Sequence, residues 1–307
     1  MSKKHWKKLD DYSTWRKIAM GLWSDPDDPT IYGKETVDVS KLVPYLDEVT
    51  EKSGVKVTMT AFTAKMMADV LGENPDLNCM VIGNHIVQRE RVDIFCQVAI
   101  PDKSAGKADL SGVKLKNADQ MSLVEIAERL RSKAKGVRAG EDVEMESSKA
   151  SIKDVPNFLM SKLLDVLDVL TYKIPIDLDA LGIRSDPFGS CMVTAVGQFD
   201  IFQGFAPLLP GSHCPLVALP GKVHKAPFVE GDDVVPKDAV TMSCTFDHRV
   251  YDGLQIGYIV RGMRTRLMNP LEHYPDPSFW ASDEESAEDP DATNDETTAD
   301  DTAAAAQ

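Results

Sequence analysis

The sequence predicts an α+β fold, and three observations predict it. Apolar residues recur at helical spacing through the first quarter of the chain, the period changes to two from about Met80 to Ile100 and again from Phe188 to Phe246, and helical spacing returns after Asp252. Helices before and after runs of strands, rather than strictly alternating with them, indicate helices set against a sheet.

Each element has a local reason. Over 40–53, Leu42, Val43, Leu46 and Val49 share one helical face, with Ser40 as the expected cap and Gly54 as the stop. A second helix is predicted over 60–73, where Phe62, Met66, Met67, Val70 and Leu71 line up before the Asn74-Pro75 break. Short β-branched runs follow at 80–82, 85–88 and 92–100, the first two joined by a Gly83-Asn84 hairpin signal. Leu123, Ile126, Ala127 and Leu130 mark a helix over 122–135, and 140–151 is polar enough to be a loop. A more apolar helix is predicted over 155–170, strands and Pro/Gly-rich turns over 188–246, and a last helix from about Leu254 to Met268. No internal repeat is visible.

Composition narrows the function classes. The chain has 307 residues, which fits one domain plus a tail. No stretch approaches the roughly 20 apolar residues that a membrane-spanning helix needs. The basic start, Met1 to Lys8, leads into no apolar run of the secretory type, so a cytoplasmic site and no membrane partner are expected. The formal net charge is −15, but 281–307 contains only Asp and Glu among its charged residues and carries −10 of it, leaving the body near −5. Such a surface argues against nucleic acid as a ligand. Lacking any aliphatic residue larger than Ala, 281–307 is expected to be a disordered acidic tail behind a body of 1–280. The five cysteines form no CxxC pair and are odd in number, so neither a disulfide framework nor a metal site is expected; four lie in apolar, strand-like surroundings and read as small buried hydrophobes.

The sharpest local feature is Phe246-Asp247-His248-Arg249-Val250-Tyr251-Asp252-Gly253, at the junction of an apolar strand and the last helix. A neutral imidazole exposed on such a turn is suited to take a proton from a thiol, which is a poor nucleophile until it loses it. The competing reading makes the stretch a polar turn, with Asp252 as N-cap and Gly253 easing the bend. Spacing alone leaves both open.

DHRVYDG resembles the DHRxxDG signature of the catalytic domain of the dihydrolipoamide acyltransferases, the E2 subunits of 2-oxo acid dehydrogenase complexes, and the related HxxxDG of chloramphenicol acetyltransferases. The resemblance continues in order through Trp15 to Ala19 (RKxIA), Val37 to Leu42 (VDVTKL), Thr58 to Lys65 (TMTAFTAK), Asn74 to Asn78 (NPxLN), the strand ending at Pro101-Asp102 and Ser122 to Ala127 (SLxEIA), spanning roughly residues 14–272. It implies a chloramphenicol-acetyltransferase-like two-layer sandwich, a mixed sheet with flanking helices, that forms trimers. It also implies acyl transfer between coenzyme A and a thiol. His248 matches the family's general base, and Thr194, in FGSCMVTAVG, matches the hydroxyl that donates to the oxyanion. Arg16 matches an arginine that pairs with the motif aspartate, here Asp252; Arg249 and Gly253 complete the motif. In the family His248 and Thr194 would meet across a subunit interface. Coenzyme A or acyl-CoA is then the substrate, with no metal and no lipoyl group on this chain, so a separate lipoyl-carrying protein is an expected partner.

The match has gaps. Lipoyl-bearing and subunit-binding segments are not expected ahead of the RKxIA stretch. The family's apolar strand after the PD turn is replaced by the polar 103–110, expected to be a loop, and about 142–187 reads as an insertion containing an apolar helix. The Asn of the family's (S/T)NxG is Ala195, and the apolar end that links trimers into cages gives way to the acidic tail. Two rivals stand beside acyl transfer: a non-catalytic assembly protein on the same scaffold, and Ser-His-Asp hydrolysis through Ser190 or Ser243, which no GxSxG elbow supports. His85, His213 and His224 have no second ligand at metal-binding spacing and read as structural.

Overall fold

From Ala239 to Asp247 every residue is buried; Val240, Met242, Cys244 and Phe246 join the apolar core, while Thr241, Ser243 and Thr245 alternate with them on the other face. This stretch is the second half of β9 (Asp233–Asp247), around which the sheet is built. The structure, a computed structural model, describes residues 28–83, 85–100, 109–139 and 186–275, with seven residues between 159 and 172. On one side β9 pairs antiparallel with β1 (Thr30–Asp38), from Thr30 opposite Asp247 to Asp38 opposite Ala239. On the other it pairs antiparallel with β7 (Leu216–Pro220). Beyond β7 lie β6 (Cys191–Val193) and β4 (Ile94–Ile100), each parallel to its neighbour, and then β5 (Asp109–Leu115), antiparallel to β4. The order β1-β9-β7-β6-β4-β5 is a mixed sheet, as the resemblance implies. A separate hairpin, β2 (Cys79–Ile82) with β3 (His85–Gln88), stands apart from it.

Helices cover one face. They are α1 (Leu42–Ser53), α2 (Met59–Gly72), α3 (Leu123–Ala139), α4 (Gly253–Met268) and the short α5 (Pro270–His273). Phe62, Met66, Met67 and Val70 of α2 pack with Ile94, Cys96, Cys191, Leu216, Met242 and Phe246 from the sheet, all almost fully buried. Each large side chain so placed contributes about 1.5–3 kcal/mol. The other face carries Phe95, Met192 and Val217, covered by Phe188, Ala206 and Leu208 from connecting segments rather than by a helix.

Several boundaries differ from the sequence reading. Ser40 does not cap α1: its own N–H donates to Asp38 Oδ1, and the helix starts at Leu42, whose N–H reaches the Val39 carbonyl. Thr58, not a residue inside the predicted span, caps α2 by accepting from the Ala61 N–H at 3.3 Å. Ser122 and Glu125 form a reciprocal cap on α3, the two-way arrangement that satisfies two of the otherwise orphaned N–H groups. Asp109 and Leu110, expected in a loop, open β5; 101–108 lie outside the described residues. So do Arg16, ten of the sixteen residues of the predicted helix over 155–170, of which the six described are helical, and the acidic 281–307.

The first half of β9 runs on past β1 as a ribbon with β8 (His224–Glu230), closed by a two-residue turn whose Gly231 has φ +62°. Glu230 faces Asp233 as the closing hydrogen-bonded pair, so by alternation Pro227 opposite Pro236 is a non-hydrogen-bonded pair. The missing N–H of each proline therefore falls on an outer edge, which blunts both edges against further strand pairing. Among the described residues no helix is long and apolar enough to cross a membrane.

Candidate active site

The turn after β9 is held from every side except that of the His248 ring. Its backbone hangs on two distant carbonyls: the Asp247 N–H donates to Pro215 O at 2.9 Å and the His248 N–H to Pro29 O at 2.8 Å. Asp247, almost fully buried, accepts the Arg249 N–H and two donors of the Arg249 guanidinium, the shortest at 2.7 Å. Tyr251 lies beneath the turn, 1% exposed, its ring edge-on to Phe246 and its hydroxyl donating to Leu77 O at 2.8 Å. Asp252 accepts from Leu254 N–H at 2.8 Å while Gln255 returns a bond to the Asp252 N–H, a complete capping box that starts α4. No atom stands within 4 Å of where a Cβ on Gly253 would be, so packing does not demand glycine there. His248 is exposed, as are Arg249 and Asp252, but unlike theirs its side chain has no hydrogen-bond partner among the described residues. A rigid backbone carrying a free basic ring is what a general base requires.

Thr194 closes β6, half-buried, with its N–H donating to Ala218 O at 3.1 Å. The chain then crosses the β1-β9-β7 face. Thr245 donates to Ala206 O, Lys222 N–H to Ile201 O, and Lys34 Nζ to Gln203 Oε1, all between 2.7 and 2.9 Å. Gly221 is required by this crossing, since a Cβ on it would stand 1.9 Å from Phe202 O. The crossing leaves Phe199, Ile201, Phe202, Phe205 and Leu209 about half exposed, beside an equally exposed Tyr32 whose ring meets Phe205 edge-on at 5.3 Å. An exposed apolar patch of this density marks an interaction surface.

Within one chain His248 and Thr194 do not meet. Val193 lies opposite Ala218, so Thr194 stands level with Leu219, and Leu219 lies opposite Ser243. His248 is five residues further along β9 and its turn, roughly 16 Å at about 3.3 Å per residue, and two strands away. His248 stands beyond the end of β9, Thr194 level with Ser243 in its interior.

The approach to β6 carries the strongest electrostatics. Arg89 reaches Asp186 through two parallel bonds of 2.8 and 2.9 Å. Burial alone would push the Asp186 carboxyl up; the bonds and charge of Arg89, with the charge of Lys114, outweigh it and hold the group below its ordinary value. A carboxylate with a lowered folded pKa stabilises the fold above its unfolded value, about 4, and that contribution is lost as pH falls through the folded one. Asp186→Asn is therefore expected to flatten the acid limb of the stability curve below about pH 4. Urea melts from pH 2 to 7 measure this, and an unchanged acid limb would refute it.

The remaining candidates fall away on geometry. Ser190 is buried with its hydroxyl 3.4 Å from Arg91 O, and Ser243 is fully buried with no partner in the described structure, so neither presents a nucleophile to a histidine. His213 places Nδ1 2.5 Å from Val81 O and Nε2 2.5 Å from Asp168, with the Tyr172 ring 4.0 Å away; His224 Nδ1 lies 3.0 Å from Lys222 O. His85 lies exposed on β3. Burial pushes the Cys96 and Cys244 thiols up to about 12 and Cys214 to about 11, which makes them inert. Among the described residues no group of three or more His, Cys, Asp or Glu could hold a metal ion.

Comparison with known proteins bears on the whole body. The model of the 2-oxoacid dehydrogenases acyltransferase (catalytic domain) family matches residues 14–160 and 187–274. A similar curated protein is the dihydrolipoyllysine-residue acetyltransferase component of the acetoin cleaving system of Bacillus subtilis (strain 168), 22% identical over 76% of this chain and 48% of that protein. The chain thus spans about half the length of the curated relatives it matches. Among solved structures, a probable dihydrolipoamide acetyltransferase from Listeria monocytogenes superposes with a TM-score of 0.56 at 21% identity, covering 86% of this chain and 94% of that one. The cubic core of the pyruvate dehydrogenase multienzyme complex gives 0.59 at 18% identity, covering 86% and 93%.

Proposed function

Because the chain belongs to the 2-oxoacid dehydrogenases acyltransferase (catalytic domain) family, we propose that it moves an acyl group between coenzyme A and a dihydrolipoamide-like thiol, with His248 as general base. The observation that carries this reading is the His248 turn: a free imidazole on a backbone pinned by Pro215, Pro29 and the Asp247–Arg249 pair, inside the matched range.

The steps need no covalent enzyme intermediate. The neutral His248 ring takes the proton of the acceptor thiol, and the thiolate attacks the carbonyl carbon of the acyl thioester. The carbonyl becomes an oxyanion, to which the Thr194 hydroxyl donates a hydrogen bond. Collapse expels the second thiolate, which recovers the proton from the imidazolium. Asp252, in its capping box, and Gly253 fix where α4 begins behind the turn, while Arg249 fixes Asp247 in front of it. In this reading Arg16 pairs with Asp252, coenzyme A arrives as substrate, and a separate lipoyl-carrying protein supplies the other thiol. No metal takes part.

Since His248 and Thr194 of one chain stand roughly 16 Å apart along the strands, the site needs the His248 of one copy and the Thr194 of another. A homotrimer satisfies this, with the apolar patch around Phe199, Phe202 and Phe205, close to Thr194, as part of its interface. Cytoplasmic placement goes with the same reading.

Purified full-length chain, offered acetyl, branched-chain and succinyl thioesters of coenzyme A with free dihydrolipoamide, is expected to release coenzyme A in proportion to acceptor and to sediment as a trimer. No turnover with any thioester, together with no binding of coenzyme A, would leave the scaffold reading in its place.

A further inference from the structure

We propose that Arg89 is a positioning residue for this site, holding the two chain segments that lead to Thr194 and to His248 in a single fixed relation; the proposal rests on the acyl-transfer reading. Arg89 follows β3 on the separate hairpin and is 8% exposed. Its guanidinium makes four bonds with three stretches of chain. Two go to the Asp186 carboxylate, one from Nη1 to Cys79 O at 3.0 Å and one from Nη2 to His213 O at 3.0 Å.

Two of these partners share an unusual backbone. Asp186 has φ +48° and His213 φ +51°, two of only four non-glycine residues with positive φ in the described structure. A side chain larger than hydrogen disfavours that region, and such residues persist where their surroundings over-determine them. The common element here is Arg89. Lys114 adds to the hold on one side, donating to Asp186 O at 2.7 Å and pairing with Asp93 at 2.9 Å, while Asp93 O accepts the Ser190 N–H at 2.8 Å.

Each clamped residue lies just upstream of a strand that ends at the site. From Asp186 the chain enters β6, a strand of three residues that closes at Val193 and is followed at once by Thr194. From His213 it enters β7 through Pro215, the residue whose carbonyl holds the Asp247 N–H beside His248. β6 pairs with β7 at only two positions, Met192 with Val217 and Val193 with Ala218. β6 is also held by three pairs with β4 and by the Thr194 N–H on Ala218 O, and a slip of one residue would turn Thr194 to the opposite face. An outside clamp just ahead of the two strands fixes where each of them begins. Arginine is needed for it, because a planar fork can serve a carboxylate and two carbonyls together, whereas the lysine ammonium acts as a point donor. Asp186 also falls in the stretch 161–186 that the family match leaves out, so the clamp ties a segment particular to this chain to the shared scaffold.

The test compares full-length wild type with Arg89→Lys, which keeps the charge, and Asp186→Asn, which keeps the shape. In both variants amide hydrogen exchange is expected to speed up at Thr194 and Asp247 while the β1–β9 pairing around Val37 and Val240 keeps its protection. In steady-state acyl transfer Arg89→Lys is expected to lower kcat by about 10–100-fold with KM for acyl-CoA within about twofold, the signature of misplaced reacting groups. In a His248→Ala background the same change should cost less than it does in wild type, since the part of its effect that runs through His248 is already gone. If wild type itself proves inactive, the acyl-transfer reading fails, and the exchange data still decide whether Arg89 holds the two segments. Unchanged exchange at Thr194 and Asp247, loosening spread evenly over the sheet, or a wild-type kcat in Arg89→Lys would each overturn the proposal.

Discussion

His248→Ala is expected to lower kcat by about 10²–10⁴-fold, the usual range for loss of a positioned general base, and to leave folding intact. Both halves of that expectation come from the same geometry. The imidazole is exposed and has no hydrogen-bond partner among the described residues, so removing it empties no packed space. The bond that fixes the residue in place is its backbone N–H to Pro29 O, which alanine keeps. Urea melts of the variant should therefore agree with wild type to within about 0.5 kcal/mol. Since the ring acts on the proton in flight rather than on the resting thioester, KM should change far less than kcat. A variant that unfolds would contradict the exposed placement of the ring. One that folds and turns over normally would remove His248 from the chemistry and require another base.

How much of this was legible in the residues depends on how far apart the interacting parts lie. The helices at 42–53, 59–72 and 253–268 were readable because their apolar faces repeat within a few residues, and the Asp252 cap because its partner, Gln255, is three positions away. The second half of β9 was readable for a similar reason, Val240, Met242, Cys244 and Phe246 recurring at every second position. Strand β1 was not: Thr30 to Asp38 reads TIYGKETVD, a largely polar stretch that becomes a strand only because β9 presents a long edge for it to pair with. The same holds for β5, which follows a polar stretch and forms against β4. The helix cap at Ser40 was misplaced because the Val39 carbonyl takes the Leu42 and Val43 N–H groups that a capping Ser40 would have accepted.

The site divides along the same line. His248 and Thr194 could be picked out by resemblance to a family motif. That they stand far apart in one chain follows only from the register of three strands. Arg89 was not picked out at all. Asp186 is 97 residues away from it and His213 124, and no spacing rule reaches that far. His213 was read as structural, and the structure places it at positive φ; what the sequence withholds is which side chain holds its backbone there.

The second large effect tests the shared site directly. Thr194→Ala is expected to lower kcat by about 10²–10³-fold, as loss of one oxyanion donor commonly does. Mixed with His248→Ala, itself almost inactive, it should regain activity. In a closed three-fold ring each site takes the histidine of one copy and the threonine of the next, so every trimer containing both variants has one site in which both groups are native. Random assembly from equal amounts makes three quarters of the trimers mixed, so about a quarter of the wild-type activity should return. Co-refolding the two variants and assaying acyl transfer against the ratio of mixing would trace this as a curve with its maximum near equal amounts. A site contained within one chain predicts no recovery at any ratio, because each copy lacks one of the two groups. The register opposes that outcome: with roughly 16 Å between Thr194 and His248 along the strands, no rotamer of either side chain closes the gap.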